Sequence, residues 1–201
     1  MDQRVKTDMG ASLAALDYDA ELMLRVKEGD GASFGVLLDK HRLPVIHFLY
    51  RMVQNQAVAE ELGQEVFLRV YRSRSTYEPT AKFTTWLFRI ATHLALNALR
   101  DGKYEKLQDR LDDDSGDMPV RQVSDRRPNI EAHMVYESRL EEVRRAIATL
   151  PEKQRAAVLM HKYQEMEYSQ IAKVLNCSES AVKSLLFRAY ETLRARLAHM
   201  A

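Results

Sequence analysis

Apolar side chains recur at helical spacing along most of the chain, and polar or Gly/Pro-containing stretches separate the periodic blocks. The first block carries Leu22, Met23 and Val26; Asp19 is its expected N-cap, and Gly29 and Gly31 end it. From Ala32 the rhythm continues through Phe34, Leu37, Leu38, Leu43, Ile46, Phe48, Leu49, Met52 and Val53, with Pro44 expected to kink or split the helix. Asn55 is placed to cap a third helix from about Ala57 to Arg72, apolar along Val58, Leu62, Val66, Phe67, Val70 and Tyr71 and polar along Glu60, Glu61, Gln64, Glu65 and Arg69. A loop, Ser73 to Lys82, holds Pro79 and leads into a helix from Phe83 to about Lys106, in which Trp86 and Leu87 have core-like spacing.

Periodicity then stops. Leu111 to Asn129 contains Gly116, Pro119 and Pro128 with few large apolar side chains, and reads as a linker. Beyond it the pattern predicts a helix from Ile130 to Thr149, a break at Pro151, a helix to about Lys162, and two helices meeting around Asn176 to Ser178. Strand-like alternation is not sustained anywhere, so the expected fold is all-α. It comprises two small helical domains, 19–108 and 130–201, joined by a flexible linker at 109–129 and preceded by a flexible N-terminus, 1–18. Their relative arrangement is left open.

Charge sharpens this division. The net charge of +1 is uninformative, but Arg69 to Lys106 carries eight bases against three acids, whereas Asp109 to Asp125 carries six acids against two bases. The one cysteine, Cys177, excludes an internal disulfide framework and fits a reducing compartment such as the cytoplasm. No apolar run approaches the roughly 18 to 20 residues that span a bilayer, so no membrane insertion is expected. The histidines are scattered, with His41 and His47 off the same-face spacing of helical ligands, and no metal or cofactor is expected. An enzyme finds no support, because neither an HExxH pattern nor a phosphate-binding glycine loop occurs.

Tyr168 to Leu197 (YSQIAKVLNCSESAVKSLLFRAYETLRARL) has the spacing of a helix-turn-helix. Ser169 and Ser178 are the expected N-caps. Ala172 is small where the helices approach, Ile171, Leu175 and Val182 fill the space between them, and Asn176 tolerates the left-handed turn conformation. On a recognition helix beginning near Glu179, residues Ser180, Lys183, Ser184, Phe187 and Arg188 face outward, toward base edges and phosphates. A helix pair that never meets DNA can show the same pattern.

SESAVKSLLFRAYETLRARL, preceded by LPEKQRAAVLMHKYQEMEYSQIAKVLNC, resembles region four of extracytoplasmic-function (ECF) sigma factors of the sigma-70 family. AEELGQEVFLRVYR (Ala59 to Arg72) followed by KFTTWLFRIATHLALNALR (Lys82 to Arg100) resembles region two of the same family. Two blocks in the family's order are more specific than either alone. The resemblance implies a non-enzymatic subunit that binds core RNA polymerase and promoter DNA. Polymerase contact is then expected from Glu61, Leu62, Gln64, Glu65, Phe67 and Leu68. The minus-10 element falls to Lys82, Phe83, Arg89, His93, Asn97 and Arg100, with the loop Tyr77 to Lys82 receiving a flipped base, and the minus-35 element falls to the recognition helix. An anti-sigma factor that covers the polymerase-binding surfaces is also implied.

Asn176 stands where the family usually has a turn glycine, and Ala181 and Lys183 replace the commoner Thr and Arg, which leaves the minus-35 preference undefined. The linker suits this division of labour, since about 19 extended residues reach roughly 65 Å, farther than one DNA turn of about 34 Å. A conventional helix-turn-helix activator or repressor is the competing reading, although it leaves Ala59 to Arg100 without a role.

Overall fold

A computed structural model of the chain describes residues 17–101 and 130–200, and among these it shows eight α-helices and no strand. The first group comprises α1 (Tyr18–Lys27), α2 (Gly31–Val53), α3 (Gln56–Arg72) and, after a 3-10 turn over Ser73–Thr76, α4 (Phe83–Arg100). The second comprises α5 (Ile130–Ala148), α6 (Glu152–Tyr163), α7 (Tyr168–Leu175) and α8 (Glu179–Arg196). The expected linker at 109–129 and the continuation of α4 to Lys106 lie outside the described residues.

Each start in the first group is set by a side chain that accepts from free backbone N–H groups. Asp17, not Asp19, caps α1, with Oδ1 accepting from Ala20 N at 2.7 Å. Asp19 was the nearer acid to the apolar block, but it lies inside the helix and is buried, where it binds Lys40 Nζ at 2.7 Å and His41 Nε2 at 2.9 Å. Asp30 caps α2 through Ala32 and Ser33, and Asn55 caps α3 through Val58 N at 3.0 Å, as its position in the sequence predicts. Pro44 does not split α2, which runs unbroken for 23 residues. One missing N–H is tolerated there because Leu37, Val45, Phe48, Leu49 and Met52, all buried, hold both halves of the helix on one core. Helices α2 and α3 approach tightly at Gly63, where a Cβ would stand 3.0 Å from Ile46 Cγ1.

The buried pair of His41 and Asp19 gives stability a pH dependence. Burial lowers the His41 pKa from its ordinary 6.5, against the opposing pull of Asp19, whose charge Lys40 already meets. The unfolded chain therefore binds a proton near pH 6 that the folded chain does not, and stability falls as the pH drops through about 6.5. Thermal melts from about pH 7.5 to 5 are expected to show this loss, and a shallower one in His41→Asn. Identical pH slopes in the two proteins would contradict it.

In the second group Pro151 begins α6, in agreement with the expected break, and α7 starts at Glu167, whose N–H donates to Gln170 Oε1 at 2.9 Å. Ser169, the expected cap, is the second residue of that helix instead. Ser178 does cap α8, accepting from Ala181 N at 3.2 Å, and Asn176 takes the left-handed conformation between α7 and α8 at φ 51°. The two groups pack together, α4 against α7 and α2 against α5 and α6. Arg51 lies over the Tyr163 ring at 4.1 Å. Arg155 donates to the carbonyls of Met52, Ala148 and Leu150, tying the end of α2 to the turn between α5 and α6.

Candidate polymerase and promoter interface

Helix α3 presents one exposed strip, Glu61, Gln64 and Leu68, with the half-buried Glu65 beside it. Glu65 accepts from Arg69 Nε at 2.7 Å, one turn away, so part of its charge is answered within the helix. Leu68 is 48% exposed, an apolar position amid carboxylates and an amide. Leu62 and Phe67, expected on the same surface, point into the core at 7% and 6% exposure. They lie on the inward stripe with Val58, Val66 and Val70, behind the exposed strip. Tyr71, read from the sequence as inward, is 42% exposed, with Phe34 edge-on at 5.1 Å and the Arg74 guanidinium over its ring at 4.1 Å.

On α4, Arg89, His93 and Arg100 are exposed, as is Lys82 at the residue preceding the helix. Asn97 is half-buried and accepts from Arg100 Nη2 at 3.2 Å. Phe83, expected on the DNA face, is fully buried beneath Tyr77 and Trp86. Trp86, expected in the core, is only partly buried and instead lines a cleft of about 630 Å³ with Arg69, Arg89, His93 and Lys153. Val174, Leu175 and Asn176 of the second group close its far side. Among the described residues no carboxylate lines this cleft, which presents a cationic surface with an aromatic ring in its wall, a combination suited to phosphates and stacked bases. Arg69 and Lys153 join the expected Arg89 and His93 there. Only the basic balance of this part of the chain hinted at Arg69, and nothing in the sequence pattern pointed to Lys153.

The loop between the 3-10 turn and α4 is anchored by Tyr77, which is buried at 3% exposure with its hydroxyl unpartnered among the described residues. Burial, then the carboxylates of Asp17 and Asp19, push its pKa up to about 12. A buried hydroxyl without a partner costs about 1 to 3 kcal/mol, so Tyr77→Phe is expected to leave the melting temperature unchanged or raise it. A clear drop would place a hydrogen bond at that oxygen.

In α8 the residues Ser180, Lys183, Ser184, Phe187 and Arg188 are all exposed on one face, while Val182, Leu186 and Ala189 are buried on the other. Ser184 Oγ donates to the Ser180 carbonyl at 3.0 Å, a bond it can exchange for a base edge. Phe187 is 67% exposed, the most open of the large apolar side chains among the described residues, and an apolar group at this place suits a thymine methyl. Beneath the face, Ile171 and Val182 are fully buried between α7 and α8, and Tyr190 Oη meets His161 Nδ1 at 3.0 Å, fixing α8 on α6.

Two family models match this chain: Sigma-70 region 2 over residues 37–104 and Sigma-70, region 4 over residues 140–193. The sigma factor CarQ of Myxococcus xanthus is 31% identical over 178 residues, covering 89% of this chain and 97% of its own length. The chain belongs to the ECF sigma factors of the sigma-70 family. The ECF sigma factor SigW of Bacillus subtilis is 29% identical over 174 residues, covering 86% of this chain and 93% of its own. Among solved structures, the sigma factor RpoE of Bartonella quintana, in complex with the anti-sigma factor NepR, matches the fold with a TM-score of 0.63. The match is 19% identical and covers 82% of this sigma factor and 96% of RpoE. This sigma factor directs promoter-specific initiation by RNA polymerase. The conventional regulator left open by the sequence does not account for the region 2 match. Among the described residues, no helix is long and apolar enough to cross a membrane.

Proposed function

We propose that the two helical groups divide the work of this sigma factor: α3 docks on core polymerase, α4 and the loop before it take the minus-10 element, and α8 reads the minus-35 element as duplex. The exposed strip Glu61, Gln64 and Leu68, with the half-buried Glu65 beside it, supplies polymerase contact by charge complementarity around one apolar anchor. Lys82, Arg89, His93, Asn97 and Arg100 hold the nontemplate strand, and Tyr77 to Lys82 accept a flipped base, whose unstacking the cationic and aromatic surface offsets.

The observation that carries this reading is the coexistence in one chain of an exposed polar and cationic face on α8 and a separate cationic cleft against α4 that no carboxylate lines among the described residues. The functional units are 19–108 and 130–201, joined through 109–129. The sigma factor itself has no catalytic step; polymerase performs the chemistry, and the setting is the cytoplasm. An anti-sigma factor covering the polymerase-binding strip is the regulatory partner, a reading supported by the complex in which RpoE was solved.

Transcription of a fragmented genomic library by purified core polymerase, with and without this protein, tests the proposal once RNA 5′ ends are mapped. New starts that share two upstream elements are expected. Gln64→Ala is expected to weaken polymerase binding while sparing the minus-35 duplex.

A further inference from the structure

The loop proposed to take the flipped base is held at both ends by opposite ends of α1. At one end, Lys27 Nζ donates to the Tyr77 carbonyl at 2.9 Å. At the other, Asp17 Oδ2 accepts from the Phe83 backbone N–H at 3.1 Å, while its Oδ1 caps α1 through Ala20. Lys82, the residue before α4, gives that helix no side-chain cap, so Asp17 supplies one from 66 residues away. A ten-residue helix is about 15 Å long, and the five residues between the two ties reach roughly 17 Å when extended. Both ends of the loop are thus tied to one helix.

Within the loop, Thr80 N donates to the Glu78 carbonyl at 2.8 Å, and Glu78, Thr80 and Lys82 are exposed. Tyr77 packs on Trp86 at 4.9 Å and on Phe83 at 6.4 Å, so the loop's ends share one aromatic cluster and only its middle faces outward. An ordinary N-cap uses one oxygen. Asp17 uses both, one for its own helix and one for α4.

We propose that Asp17 and Lys27 are positioning residues for promoter opening, holding the loop at the aperture that receives an unstacked base. This rests on the reading of that loop as the minus-10 reader. Two acceptor oxygens are required at position 17. In Asp17→Asn one amide oxygen keeps the α1 cap, and the amide NH2 is turned toward the Phe83 N–H, donor against donor. Lys27→Met keeps the exposed aliphatic stem and loses only the tie to Tyr77.

The test uses holoenzyme assembled from core polymerase and the full chain. The ligand is a labelled nontemplate-strand oligonucleotide carrying the mapped minus-10 element, intact or with an abasic site at each position in turn. Wild type is expected to lose roughly tenfold in affinity at one position, the base the loop receives. Asp17→Asn and Lys27→Met are expected to bind the intact strand roughly tenfold more weakly and to lose nothing further at that position. Their affinities for core polymerase and for minus-35 duplex stay at the wild-type value.

If both variants keep the full abasic penalty of wild type, the positioning role is overturned while the loop remains the reader. If wild type shows no such penalty at any position, the reading of the loop fails and takes this inference with it. Should Asp17→Asn also lose polymerase affinity, Lys27→Met, which leaves the α1 cap intact, decides the matter alone.

Discussion

Arg188→Ala is expected to weaken binding to a minus-35 duplex by roughly tenfold or more, the range for losing one guanidinium contact to a guanine edge. Arg188 is exposed on the same face of α8 as Lys183 and Ser184, and among the described residues no carboxylate pairs with its side chain, so its donors are free for a base. Its neighbours Leu186 and Ala189 carry the packing, and truncating Arg188 leaves that buried side untouched. Fluorescence anisotropy with the duplex, beside a polymerase-binding measurement, separates the two activities. Lys183→Ala is a useful companion: a lysine on phosphate loses affinity evenly across sequences, whereas loss of Arg188 relaxes the preference at one base pair. Equal losses of polymerase and DNA binding in Arg188→Ala would contradict the division of labour.

Arg155→Ala is expected to destabilise the protein by about 3 kcal/mol and to loosen the packing between the two helical groups. The guanidinium serves three carbonyls, those of Met52, Ala148 and Leu150, which the variant leaves without this donor. Burial lowers the Arg155 pKa, the mark of a charge drawn away from water. Arg51 over Tyr163 remains as a contact between the groups and does not replace a donor to Met52. Urea titration followed by circular dichroism gives the stability change, and the radius of gyration from small-angle scattering reports separation of the groups. An unchanged urea midpoint and an unchanged radius would show that the apolar contacts between α4 and α7 hold the arrangement by themselves.

The periodicity of apolar residues marked the helices well because each buries a stripe, and a stripe is visible in one dimension. It placed Asn55 and Ser178 as caps and Asn176 in the turn, since each acts on backbone within three residues of itself. The same local reasoning chose Asp19 and Ser169 wrongly. Both are good capping types near a helix start; Asp19 was displaced by partners out of local view, His41 and Lys40, whereas Ser169 gave way to a local bond, Glu167 N–H to Gln170 Oε1, that sets the start of α7 at Glu167.

Leu62, Phe67 and Phe83 show where resemblance outran geometry, for a family motif names positions without saying which side chains turn inward. Trp86 erred in the other direction, because its spacing is that of a core residue and only the packing of the second helical group leaves it open to a cleft.

The all-α class, the two motif blocks, the outward face of α8 and the membership in a sigma family are properties of sequence alone, set by short-range periodicity and by residue types at fixed spacing. Tertiary structure decided the rest: that Asp17 spans two helices, that Arg155 ties α2 to the turn before α6, and that Arg69 and Lys153 meet Arg89 and His93 across one cleft. These depend on contacts between residues tens of positions apart. Such contacts follow from how helices pack as bodies, and no local pattern in the chain encodes which side chains that packing brings together.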